Sequence, residues 1–418
     1  MDKKKCLFIC TRQFWPTTTG KQITLFYDCK GLCEEYGYEI YLFCFSDNNT
    51  DQSLKKPDFI KDVHYVEIPR KFNAIGNFFR HSFIGNTKWP LQNDLYYSKS
   101  IEKDLQNYYD MVQPSVVIID MVRLVPYIDC FKNESVKKIL IAEDDLAKRY
   151  SRQLRSNGSS SAVGYYAKNM SRLSNAISSQ KLIKNSILKM EISRLQQYED
   201  CFTQLFDYIT FISPVETQDF NIRHNTNKAI TLTMGADIDY LSEDVACEKK
   251  DNTLVFVGNF TYAPNADSIR WICKNIIPRL EGDIVFNVIG KCPDDIKKEI
   301  ECENVRVLGY VDDIRVAVNS ASVYLSPIVY GTGIKTKIIE AMAMGQAIVT
   351  NSIGAESLDV EDGVHLFIED TIDGIVARIN TLLNNKKLRE EMGRNARDFV
   401  INNHSWRKVY SVFGEIGL

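Results

Sequence analysis

Short apolar runs of strand length alternate along this chain with longer segments whose apolar residues recur at helical spacing. KKCLFIC (Lys4 to Cys10) is followed by a polar loop with Pro16 and Gly20, a helix to about Tyr36, and a second run, YEIYLFCF. This is the pattern of a βαβ unit, because a parallel strand buried on both faces reads as a continuous apolar run. SVVIID, KKILIAED, YITFIS and AITLTMG continue it and predict one doubly wound parallel sheet. SEDVACEKKDN (Ser242 to Asn252) is charged and without period, as a linker is. The alternation then restarts with TLVFVGN, DIVFNVIG, VRVLGYV, VYLSPI, AIVTN and HLFIED, which predict a second doubly wound sheet. The expected organisation is α/β, with Rossmann-like domains over 1–241 and 253–401 and a helical segment, 402–418, crossing back onto the first. Two such domains facing a cleft would bind ligands at the carboxyl ends of their strands.

Composition narrows the classes. At 418 residues the chain exceeds the size at which one core stops growing, so two domains are the default. A net charge of -3 argues against general nucleic-acid affinity, which needs a broadly basic face. The eleven cysteines are scattered through apparent strands and helices with no disulfide framework or zinc spacing, and read as reduced thiols. After MDKKK the apolar stretch CLFIC is too short for a signal peptide, and no run reaches the ~20 apolar residues of a spanning helix. The expectation is a cytoplasmic protein, with peripheral contact at the inner face of a membrane left open.

Chemistry concentrates in GTGIKTKIIEAMAMG, Gly331 to Gly345. A helix apolar nearly all round is a buried helix, and a carboxylate within it, Glu340, requires a hydrogen-bonding partner. The glycine-rich turn before the helix offers backbone N–H groups and a positive dipole end to a phosphate, and Lys335 adds a full charge there. Thr336 shares a face with Glu340 at i, i+4. A plainer alternative is an i, i+3 ion pair between Lys337 and Glu340 beside an ordinary turn.

VFVGNFTYAPNADSIRWI, VRVLGYVDDIR, LSPIVYGTGIKTKIIEAMAMGQAIVTNSIGAES, ISPVETQDF and LTMGADIDYLS resemble, in order and spacing, the GT-B glycosyltransferases of the group 1 family. The likeness covers the second domain well and the first loosely, through FICTRQFWPTTTG. It implies a sugar nucleotide, a UDP-sugar, bound mainly by the second domain, an acceptor bound mainly by the first, and retention of anomeric configuration without a metal or other cofactor. Glu340 would accept hydrogen bonds from the ribose hydroxyls. Gly258, Asn259, Gly333, Ile334, Lys335 and Thr336 would lie along the diphosphate, and Tyr310 and Val311 near the base. Gly20 would let a backbone loop approach the donor phosphate. Two positions depart from the family pattern: Thr332 stands where many members have a first glutamate, and Asn259 where many have an arginine. Lys335 is therefore expected to be the main diphosphate cation.

Glu143, Asp144 and Asp145 end a predicted strand. They suit either acceptor hydroxyls, with Glu143 or Asp144 beside the reaction, or a DxD-like metal site. The absence of histidine or cysteine at ligand spacing favours the acceptor. Basic segments with aromatic or apolar positions, Pro69 to Trp89 and Tyr165 to Leu195, suit an anionic membrane surface or a solvated face. The resulting expectation is a retaining glycosyltransferase acting on a glycan or lipid-linked acceptor in polysaccharide or glycoconjugate synthesis. The alternatives are a sugar-nucleotide epimerase or hydrolase of the same fold, and a non-catalytic binding subunit.

Overall fold

A computed structural model describes residues 4–17, 19–47, 50–69, 76–77, 89–155, 181–243, 245–331 and 333–418. Thr332, the segment around Phe78–Phe83 and residues 165–180 of the second basic segment lie outside the described residues.

The chain divides into two compact units, Met1–Thr233 with Tyr410–Leu418, and Met234–Val409. The first holds a parallel sheet of β1 (Lys5–Cys10), β2 (Glu39–Ser46), β3 (Ile60–Glu67), β4 (Val116–Asp120), β5 (Lys137–Glu143), β6 (Tyr208–Phe211) and β7 (Ala229–Thr231), in the order β3-β2-β1-β4-β5-β6-β7. The central strands are buried along most of their length, β4 at every residue, which explains why their sequences carry no alternation. The edge strand β3, IKDVHYVE, has exposed or half-buried positions at all but two residues. It does not stand out as an apolar run, and the sequence pattern does not predict it.

The second unit holds β8 (Thr253–Val257), β9 (Val285–Ile289), β10 (Val305–Gly309), β11 (Val323–Leu325), β12 (Ile348–Thr350) and β13 (Phe367–Ile368), ordered β10-β9-β8-β11-β12-β13 and also parallel. Each sheet reverses its winding once, between β1 and β4 and between β8 and β11. The loops leaving those strand pairs part in opposite directions and open a crevice, the usual ligand position in such sheets.

Residues 234–252 belong to the second unit. Ala236 N–H donates to His404 O at 2.8 Å, Arg315 donates to Tyr240 O and to Glu243, and Lys250 N–H donates to Ser320 O at 2.8 Å. The charged stretch that reads as a linker is thus fastened by partners distant in sequence. The closing segment is two helices, Lys386–His404 and Trp406–Glu415, broken at Ser405, whose extended backbone pairs with Ala236. Its last part joins the first unit, where the Tyr410 ring packs on Gly31 so closely that a Cβ there would sit 2.6 Å from it. Tyr36 Oη donates to Tyr410 O at 2.8 Å. All eleven cysteines are free thiols, and among the described residues no helix is long and apolar enough to cross a membrane.

Candidate functional site

In the second unit β11 runs into a loop with two glycines in left-handed backbone, Gly331 at φ 150° and Gly333 at φ 69°. The helix Thr336–Ala343 follows, with Lys335 at its N-cap. Lys335 Nζ turns back to donate to Gly333 O, closing the loop beside the start of the helix. Ile334 and Thr336 flank it, both half-buried.

Three hydrogen bonds fix this loop and helix to the helix Ala263–Asn275 that follows β8. Lys337 Nζ donates to Asn265 Oδ1, Val329 N–H to Ser268 Oγ at 3.1 Å, and Tyr330 Oη to Asp267 Oδ2 at 2.8 Å. Asn265 also donates to Asn259 O at 3.0 Å, so one amide joins the two loops that border the crevice. Asn259 spends its own side chain locally, accepting from Thr261 N–H at 3.0 Å and Thr261 Oγ1 at 2.7 Å. Gly258 has the Gly290 backbone hard against it: a Cβ on Gly290, at φ +117°, would lie 2.1 Å from Gly258 O.

Glu340 is half-buried as a residue, and its carboxylate makes no hydrogen bond or ion pair with the described residues. Removal from water pushes that carboxyl up to about 7, against the opposing charge of Lys337. Burial likewise lowers Lys337 to about 7, helped by the nearby Lys335 charge. The i, i+3 ion pair is not formed, because Lys337 is held by Asn265 over the Phe256 ring, 4.7 Å from its centroid. Ser326, fully buried just past the end of β11, also has a hydroxyl without a partner among the described residues. Two polar groups at the crevice are thus desolvated and unanswered by the described residues, which is costly in a site that stays empty.

Tyr310 and Val311 follow β10, an edge strand separated from β11 by β9 and β8, and Tyr310 is 90% exposed. They do not join the Lys335–Glu340 cluster. Gly354 packs against Thr350, whose Oγ1 would be 2.0 Å from a Cβ, and its N–H is taken by Asn351 Oδ1 at 3.0 Å.

In the first unit the acidic triplet is divided among three cations. Glu143 pairs with Lys21 at 2.6 Å, Asp144 with Arg149 at 2.6 Å and Asp145 with Arg223 at 2.7 Å. Among the described residues no group of three or more histidine, cysteine or acidic side chains is placed to hold a metal ion. Only Glu143 sits at the β1–β4 crevice, where Lys21 also meets Asp120. Gly20 opens the helix Gly20–Glu34, and a Cβ there would meet nothing within 4 Å, so the fold itself does not require glycine.

Sequence reasoning missed Asn265, Lys21, Asp120 and Ser326. An amide in the first turn of a helix and an aspartate closing a strand carry no pattern that separates them from ordinary caps. Only their convergence in space marks them.

Residues 251–385, which contain the loop, the helix and the crevice, match the family model of the group 1 glycosyl transferases. This segment is a group 1 glycosyl transferase domain. A glycosyltransferase of Methanocaldococcus jannaschii is 27% identical over 191 residues, 43% of this chain and 49% of that protein. The chain aligns with less than half the length of the curated relatives it matches. Sucrose-phosphate synthase from Thermosynechococcus elongatus superimposes with a TM-score of 0.68 at 12% identity, covering 99% of this chain and 98% of that one. TarM from S. aureus, in complex with Fondaparinux, alpha-GlcNAc-glycerol and UDP, gives 0.64 at 12% identity with 99% of both chains covered. The two parallel-sheet domains therefore have the GT-B fold, and the match to the group 1 glycosyl transferase family model lies in the second of them.

Proposed function

We propose that the protein transfers a sugar from a UDP-sugar to a hydroxyl of a glycan or lipid-linked acceptor, with retention of the anomeric configuration. The observation that carries this is the Glu340 carboxylate, desolvated and without a partner among the described residues, behind a glycine-rich loop whose helix begins at Lys335. A ribose diol supplies the two donors that Glu340 lacks, and the diphosphate then falls toward the helix N-terminus and the Lys335 ammonium.

Lys335 and the N–H groups of Gly333, Ile334 and Thr336 stabilise the charge that develops on the departing diphosphate, so no divalent ion is needed for its departure. Retention follows if the acceptor hydroxyl enters on the face the phosphate leaves and the phosphate oxygen takes its proton. Glu143 holds the acceptor hydroxyl; Asp144, locked to Arg149, supports its loop. Tyr310 and Val311 border the base through backbone and apolar contacts, and Gly20 leaves room for the donor phosphate. The bound UDP of TarM supports the choice of donor. Work at the inner face of a membrane, on a surface polysaccharide or glycoconjugate, completes the reading.

The test is a thermal-shift panel of sugar nucleotides, followed by turnover with the stabilising donor in EDTA and NMR of the product's anomeric proton. Stabilisation by a UDP-sugar, EDTA-resistant transfer and an α-linked product from an α-linked donor are expected. Donor hydrolysis unaffected by acceptors would favour a hydrolase or epimerase. Failure of every nucleotide to bind would leave a non-catalytic subunit.

A further inference from the structure

At the β1–β4 crevice of the first unit the Lys21 ammonium lies between carboxylates from two neighbouring strands, Asp120 Oδ1 and Glu143 Oε1. Asp120 is fully buried, and its second oxygen accepts from Thr11 Oγ1 at 3.0 Å and more weakly from Thr11 N–H at 3.4 Å. It is therefore a fixed post, and Lys21 hangs between it and Glu143. Burial works against the Lys21 charge, but Asp120 and Glu143 outweigh it and hold the ammonium protonated. Asp28, seven residues along the same helix, adds no competing anion, because burial pushes its carboxyl up to about 8.

Glu143 differs from an ordinary ion-pair partner in two ways. Its side chain is 18% exposed, and Oε2 has no partner among the described residues. Its backbone has φ 69°, a left-handed conformation that is strained for a non-glycine residue and persists only where the surroundings enforce it. The enforcing bonds are Ile212 N–H to Glu143 O at 2.7 Å and Asp144 N–H to Ala142 O at 3.1 Å. A pair kept for stability alone would need neither the strain nor the outward oxygen, since buried ion pairs are commonly replaceable by apolar packing.

We infer that Lys21, braced by Asp120 and Thr11, is a positioning residue: it pins Glu143 Oε1 so that Oε2 is presented in a fixed orientation to accept the hydrogen bond of the attacking acceptor hydroxyl. The inference rests on the glycosyl-transfer reading and deepens it on the acceptor side. Glu143 accepts a hydrogen bond only; the hydroxyl proton leaves with the diphosphate, so no charge accumulates in the crevice. The ionised form of Glu143 is the competent one. Burial raises its titration while Lys21 opposes that, with Asp120 and Asp144 as the other charges facing it.

The experiment measures pH profiles of transfer from the UDP-sugar selected by thermal shift to octyl β-D-glucoside, a soluble acceptor probe, in wild type, Lys21→Met, Lys21→Arg and Glu143→Gln. Loss of the ammonium moves Glu143 titration upward. The acid limb of Lys21→Met should therefore lie at higher pH, with turnover at pH 6 reduced about tenfold or more, turnover at pH 8.5 reduced much less, and donor affinity unchanged. Lys21→Arg should restore the acid limb, and Glu143→Gln should abolish it. If Lys21→Met does not fold, the Lys21→Arg and Glu143→Gln profiles decide. Wild-type turnover with the same acid limb in all folded variants would overturn the inference alone. No wild-type turnover with any donor or acceptor would overturn the transfer reading and this inference with it.

Discussion

Lys337 and Glu340 lie three residues apart on one helix, yet Lys337 gives its hydrogen bond to Asn265 and Glu340 keeps no partner among the described residues. The helix therefore carries an unanswered carboxylate between buried neighbours, an arrangement that weakens the empty protein.

Glu340→Gln should be more stable than wild type near neutral pH. The unfolded carboxyl loses its proton near 4.5 and the folded one near 7, so across that window the unfolded state binds fewer protons and wild-type stability falls as pH rises. The variant escapes this, gaining up to about 1.4 kcal/mol per pH unit across the window and nothing at pH 4. It should also bind UDP-sugar about 1.5–3 kcal/mol more weakly. Thermal melts from pH 4 to 8 and calorimetry measure both; equal stability at pH 7.5 would mean the carboxylate is already paired.

Lys335→Ala should weaken UDP-sugar binding by about 1.5–3 kcal/mol, the worth of a hydrogen bond to a charged group. It should do so with little change in melting temperature, because the Lys335 Nζ hydrogen bond reaches a carbonyl of its own loop, Gly333 O. Titration calorimetry showing wild-type affinity would remove Lys335 from the diphosphate.

Asp28 makes the same argument in the first unit without any ligand. It is fully buried with both oxygens unpartnered among the described residues, and burial lifts it from 3.8 to about 8. Wild-type stability should fall as pH rises between those values, whereas Asp28→Asn should not share that slope. Urea titrations at pH 5 and pH 8 test it: parallel stabilities of the two proteins at both values would refute the neutral-acid assignment.

Two glycines should respond oppositely to alanine. Gly290→Ala forces a Cβ into Gly258 O and a left-handed backbone, and should cost at least about 1–3 kcal/mol while displacing the Gly258–Asn259 loop. Gly20→Ala meets open space at a helix start and should leave stability unchanged or slightly raised, while reducing turnover if the donor phosphate passes there. Melting temperatures with turnover separate the two.

The physics of these sites explains what the sequence could disclose. The six strands of the second sheet were legible as short apolar runs, four of which, β8, β9, β11 and β12, are buried along all or nearly all of their length, and Glu340 was legible because it is the odd residue in an apolar helical run. β3 was hidden by its exposed positions, and the break at Ser405 by a helical pattern on both sides of it. Lys21 and Asp120 could not be paired in advance, since they are ninety-nine residues apart and only the β1–β4 neighbourhood brings them together. Tyr310 was legible as a strand-end aromatic, but that it follows an edge strand and is 90% exposed was not.

The placement of Tyr410 against Gly31 bears on how the chain is made. Most of the first unit is synthesised first, yet Tyr410–Leu418 are translated only after the whole of the second unit, which is one continuous stretch, Met234–Val409. Domains commonly fold as units while the chain emerges. Here the second unit ends at Val409, directly before Tyr410, so the two units are completed almost together, and the amino-terminal residues must wait, with the Gly31 seat uncovered, until Tyr410 has left the exit tunnel.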